Sequence, residues 1–78
     1  MKFIEQFQRL ERLDQLIRLK ATGNAASLAR RMECSRRTIY HLLEALRALG
    51  AEIDYCTYQQ SYYYLDDIHF DFSLGKSG

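Results

Sequence analysis

Residues 28–49 read LARRMECSRRTIYHLLEALRAL, two helical patterns separated by a tight turn. On the C-terminal side Ile39, Leu43, Leu46 and Leu49 recur three or four residues apart up to Gly50, a residue suited to stopping a helix. Ser35 stands just before that run, where its hydroxyl can accept from a free N–H of the first turn. On the N-terminal side a shorter helix runs roughly from Ala25 to Met32, burying Leu28 and Met32 with Ala26 or Ala29. Glu33 and Cys34 are left as the turn.

Working outward, Thr22-Gly23-Asn24 separates this pair from an earlier helix. Gly23 suits the left-handed position after a helix, and Asn24 suits an N-cap. From Lys2 to about Ala21 there is no glycine or proline, and Phe3, Phe7, Leu10, Leu13, Leu16, Ile17 and Leu19 fall mostly three or four apart. That is an amphipathic helix of about five turns. Its polar side alternates in sign, the pattern of a solvated face. Leu13, Leu16 and Ile17 suffice to cover the next two helices. Phe3, Ile4, Phe7 and Leu10 therefore need a partner, either the chain's own C-terminal segment or a second copy.

After Gly50 the period becomes alternating. Ile53, Tyr55 and Thr57 point one way, a turn falls near Gln59-Gln60-Ser61, and Tyr62 to Leu65 returns, a tyrosine-rich β-hairpin. Three helices followed by a hairpin form the winged-helix architecture, mainly α with a small β element. Ile68, Phe70, Phe72 and Leu74 alternate with polar residues and predict an extra C-terminal strand. The expected domain is 1–74, with 75–78 as a tail. The terminal Gly-Lys-Ser is not a phosphate-binding loop, because Phe70 stands where that motif needs its first glycine.

Composition agrees with one small domain. At 78 residues there is room for a single core, and 47% apolar with 27% charged residues is the balance of a folded chain. No apolar run approaches the ~20 residues that span a bilayer, and the charged N-terminus does not read as a signal peptide. The expected location is the cytoplasm, where Cys34 and Cys56 would be reduced thiols. Their spacing with His41 and His69 matches no zinc signature. No cofactor is expected. Net charge is only +1, but its distribution is uneven: Arg30, Arg31, Arg36 and Arg37 cluster, whereas Asp54, Asp66, Asp67 and Asp71 collect towards the C-terminus.

The helix from Ser35 carries the chemistry. A helix entering the major groove N-terminus first offers unsatisfied N–H groups and a positive dipole end, to which Ser35 and Thr38 add hydroxyls. With Ile39 and Leu43 facing the core, Arg36, Arg37, Tyr40, His41 and Glu44 lie on the outer arc. Arg37 or His41 would meet base edges, Arg36 and Tyr40 the backbone, and Arg30 and Arg31 phosphates on either side. The competing structural reading pairs these arginines with Glu33 and Glu44 on a solvated face.

Gly23-Asn24-Ala25-Ala26-Ser27-Leu28-Ala29, Ser35-Arg36-Arg37-Thr38-Ile39-Tyr40, Leu43-Glu44-Ala45-Leu46 and Gly50-Ala51-Glu52-Ile53 together resemble the winged helix-turn-helix at the N-terminus of DeoR-type and WYL-type bacterial transcriptional regulators, over roughly residues 10–65. The resemblance implies sequence-specific binding of double-stranded DNA, usually as a dimer or larger assembly, with the helix from Ser35 in the major groove. Three departures stand out. His41-Leu42 replaces the common Arg-Asp, leaving Leu42 as an exposed apolar residue. The wing tip, with Tyr58, Gln59 and Gln60, lacks basic residues, though these side chains can still hydrogen-bond to backbone. The ligand-sensing or partner-binding domain that normally follows is not expected here, so a stand-alone regulator is expected, acting as a homodimer through the first helix or the Ile68 to Leu74 segment.

Strand packing accounts for most of the six tyrosines. The alternative function is a winged-helix module that docks a protein partner through its tyrosine hairpin and C-terminal segment. No paired carboxylates or activated nucleophile point to an enzyme.

Overall fold

The computed structural model describes residues 2–67, with side chains from residue 4. The expected strand from Ile68 to Leu74 and the tail from Gly75 lie outside them. The elements in order are α1 (Lys2–Arg18), α2 (Ala25–Arg31), α3 (Arg36–Ala48), β1 (Ile53–Cys56) and β2 (Ser61–Tyr64). Side-chain oxygens start the second and third helices as expected: Asn24 Oδ1 accepts from the Ser27 N–H at 2.8 Å, and Ser35 Oγ from the Thr38 N–H at 3.1 Å.

All three helices stop by one device. After each, the chain steps into the left-handed region, at Lys20 (φ 55°), Glu33 (φ 56°) and Gly50 (φ 110°). The carbonyls of Leu16, Ala29 and Leu46 then accept from the N–H groups of Ala21, Cys34 and Ala51. Gly23 is therefore not the stop of α1. Lys20 takes that place and ends the helix at Arg18, while Gly23 (φ 70°) aims the chain at the Asn24 cap. A Cβ on Gly23 would lie 3.0 Å from Ser27 Cβ.

The core joins Leu13 and Ile17 of α1, Leu28, Ala29 and Met32 from α2 and its cap, Ile39, Leu42, Leu43 and Leu46 of α3, and Ala51 and Ile53 at the start of the hairpin. On α2, Ala29 is buried and Ala26 exposed; Ala25, not expected in the core, is buried as well. Leu42 corrects the expectation of an exposed apolar side chain, being only 6% exposed. α1 lies against α3 on that side, and Leu10 lines the same cleft as Leu42, so the apolar stripe of α3 is wider than the Ile39–Leu43 seam alone. Leu19 and Leu49, placed in the apolar patterns by spacing, are exposed because they follow the last helical residues of α1 and α3.

In the hairpin Ile53 pairs with Tyr64, Tyr55 with Tyr62 and Cys56 with Ser61. The turn occupies 57–60, so Thr57 leaves the strand and Ser61 joins it. Ser61 is fully buried for a reason not visible locally. Its hydroxyl accepts from the Thr22 N–H at 3.2 Å and lies 3.1 Å from Thr22 Oγ1, which in turn accepts from the Tyr62 N–H at 2.9 Å. This polar knot ties the α1–α2 loop to β2. A second tie runs from Arg47, whose guanidinium donates to the Ile53 carbonyl at 3.3 Å and holds the root of β1 against α3.

Candidate nucleic-acid interface

Around α3 the residues divide by side. Ile39, Leu42, Leu43 and Leu46 face the core. Arg37, His41 and Glu44 lie opposite and are exposed. Arg36 and Tyr40 flank the hairpin side, where with Ala25, Ala26, Tyr55 and Tyr62 they line a cleft of about 340 Å³. Thr38 and His41 flank the α1 side and line a cleft of about 160 Å³ with Gln6 and Arg9. The outer arc of α3 is thus a ridge between two grooves.

Local chemistry sets the ridge. Ser35 is occupied as the cap, and its Oγ also lies 3.1 Å from Thr38 Oγ1, so the two hydroxyls stand together at the start of the helix. The acidic residue of the arc is neutralised by a different partner from those expected. Arg47 Nη1 donates to Glu44 Oε2 at 2.8 Å, and among the described residues neither Arg36 nor Arg37 is in an ion pair. Both are exposed at the first turn of α3.

The arginines of α2 diverge. Arg30 lies four residues on from Ala26, on the stripe that borders the hairpin-side cleft. Arg31 is turned away from that stripe, and its Nη1 donates to the Ala21 carbonyl at 3.0 Å. The wing residues sit apart from the ridge. Tyr58 is 99% exposed, and Gln59 and Gln60 lie in the same open turn.

Four further residues join the site. Tyr55 and Tyr62 form an edge-to-face pair with ring centroids 5.0 Å apart, which fixes the wall of the cleft. Arg9 borders the opposite groove, and Arg47 fastens the hairpin. Alternation in the sequence put Tyr55 on the inner face and could have found its pair. Burial raises the Tyr62 phenol above the ordinary tyrosine value, with Tyr40 and Tyr55 adding to the rise and Arg47 opposing it. The phenol stays protonated and remains a donor.

The profile of a family described as an HTH domain matches residues 9–55, more than half of the chain. The chain belongs to the HTH domain family. The matched span takes in most of α1, both later helices and β1 as far as Tyr55. No curated protein and no solved structure matches it. With three helices and an antiparallel hairpin, this HTH domain is of the winged kind, and helix-turn-helix domains bind DNA. Among the described residues of the HTH domain, no helix is long and apolar enough to cross a membrane, and no cluster of three or more His, Cys, Asp or Glu could hold a metal ion.

Proposed function

We propose that this HTH domain regulates transcription by binding duplex DNA, with α3 in the major groove. The observation that carries the reading is the first turn of α3. Arg36 and Arg37 stand exposed beside the Ser35 cap while the one carboxylate on the arc, Glu44, is held by Arg47. Arg37 and His41, at the crest of the ridge, read base edges. Arg36, Tyr40 and the paired hydroxyls of Ser35 and Thr38 hold phosphates, and Arg30 extends that contact along the groove. Arg31 keeps its remaining donors for the same strand while propping the α1–α2 loop.

A single domain neutralises few phosphates, so two copies on two half-sites supply the affinity that one lacks. Fluorescence anisotropy against genomic duplex fragments at two salt concentrations tests the reading. Binding should weaken steeply with salt, and Arg37→Ala should cost about 1–3 kcal/mol on the best fragment. Absence of binding at low salt, or an Arg37→Ala variant equal to the parent, overturns it. Sedimentation of the complex counts the copies.

A further inference from the structure

The hairpin-side cleft holds chemistry that the crest of α3 does not use. Its walls are Arg36 and Tyr40 from α3 and Tyr55 and Tyr62 from the hairpin, and Asn24, Ala25 and Ala26 form its α2 side. No carboxylate lines it. The hairpin tyrosines also differ in what their hydroxyls do. The Tyr64 hydroxyl is committed to the fold through Asp14 at 2.6 Å. Among the described residues, the phenol oxygens of Tyr55 and Tyr62 take part in no hydrogen bond, although the two rings are fixed against each other. A guanidinium, three phenols, two small methyl side chains and the amide of Asn24, whose Oδ1 is taken by the Ser27 N–H, make a trough that offers donors and allows close approach.

We propose that this cleft seats the sugar-phosphate backbone of one DNA strand, gripped by the Tyr55 and Tyr62 hydroxyls together with Arg36, so that the hairpin holds DNA by its root and not by its tip. The inference rests on the reading that α3 enters the major groove, because the strand bordering the groove then passes along the α3 flank that carries Arg36 and Tyr40. Phosphate oxygens are acceptors only, which matches a lining of donors. The open turn, with Tyr58 projecting, offers neutral donors but no cation among 57–60. Phosphate contacts fix position and carry no base information, so the grip is independent of sequence.

The test uses the full chain, two unrelated duplexes about two helical turns long, and anisotropy titrations over a range of salt. Tyr55→Phe with Tyr62→Phe removes only the hydroxyls and keeps the ring pair, and thermal melting checks the fold. Binding to both duplexes should weaken equally, by about a hundredfold or more for two lost hydrogen bonds to a charged acceptor. The salt slope should stay at the parent value, because neutral donors displace no counterions, whereas Arg36→Ala should lower it by about one. Tyr58→Phe should bind like the parent. Full affinity in the double Phe variant while Arg37→Ala is impaired overturns the grip and leaves the DNA reading standing. A loss confined to Tyr58→Phe, or tighter binding of single strands that survives Tyr→Phe but not Tyr→Ala, also overturns it, in favour of the wing tip or of base stacking. If the parent binds no duplex at low salt, both readings fall together.

Discussion

The Tyr64 hydroxyl donates to Asp14 Oδ1 at 2.6 Å, joining the last residue of β2 to the C-terminal part of α1. The same carboxylate accepts from Arg18 Nε at 3.0 and 3.1 Å, and the Arg18 guanidinium lies 5.0 Å from the Tyr64 ring centroid. Asp14 is only 6% exposed, so these partners replace the water its carboxylate oxygens have lost. Tyr64→Phe should therefore lower stability by about 2 kcal/mol, the range for a hydrogen bond to a charged group. Urea unfolding followed by circular dichroism measures it.

Tyr64 also makes the fold sensitive to alkali. Burial, then the hydrogen bond to Asp14 and its negative charge, raise the phenol above its ordinary value of 10.0, with Arg18 opposing. The proton is held more tightly in the folded chain than in the unfolded one. The associated stability is whole below about pH 10 and is lost as pH rises from there towards the raised value. Unfolding free energies at about pH 9 and pH 11 should diverge in the parent, and Tyr64→Phe should show a smaller difference.

Thr22 and Ser61, both fully buried, satisfy each other and two backbone N–H groups. Thr22→Val leaves the Tyr62 N–H without its acceptor, and Ser61→Ala does the same to the Thr22 N–H. Each should cost about 1–3 kcal/mol. Because the two hydroxyls act as a unit, the double variant should lose less than the sum, a coupling that a double-mutant cycle reads directly.

The helix stops predict opposite signs at equivalent positions. Lys20→Gly places at φ 55° the residue that tolerates it and should stabilise by about 0.5–1 kcal/mol. Gly50→Ala, at φ 110°, should destabilise by at least as much. Thermal melting of the two variants, with the parent between them, is the check.

Leu42→Ala should cost about 2–4 kcal/mol, because the side chain is packed in the core. Leu42→Asp should unfold the chain at ambient temperature, since an unpaired carboxylate would be buried between α1 and α3. Loss of the helical far-UV signal would report it.

These positions show which parts of the molecule were legible beforehand. Ser35 and the Ile39–Leu43–Leu46 stripe were, because capping and helical period are local and the core lies within a few residues of each signal. Asn24 was legible for the same reason. Leu42 was misread because its burial depends on how α1 lies against α3, which the period of α3 does not contain. Lys20 was missed because the tertiary path holds a non-glycine residue in a left-handed conformation, where composition points to Gly23. The Thr22–Ser61 knot spans 39 residues and leaves no local pattern. In the interface, the exposed arginines of α3 were visible as a charge cluster, whereas the Tyr55–Tyr62 wall required the hairpin register. Arg47 stands outside the arginine cluster, although its spacing from Glu44 allows the ion pair that leaves the neighbouring arginines exposed.

Both ends of β2 are anchored by groups remote from the connection before it, Ser61 by the α1–α2 loop and Tyr64 by α1. The geometry of the cleft is consequently insulated from whatever occupies 57–60. That connection is an exchange port: lysine-bearing, longer or epitope-carrying turns can be grafted there to retune retention on nucleic acid or to add a handle, while the remainder of the molecule keeps its shape.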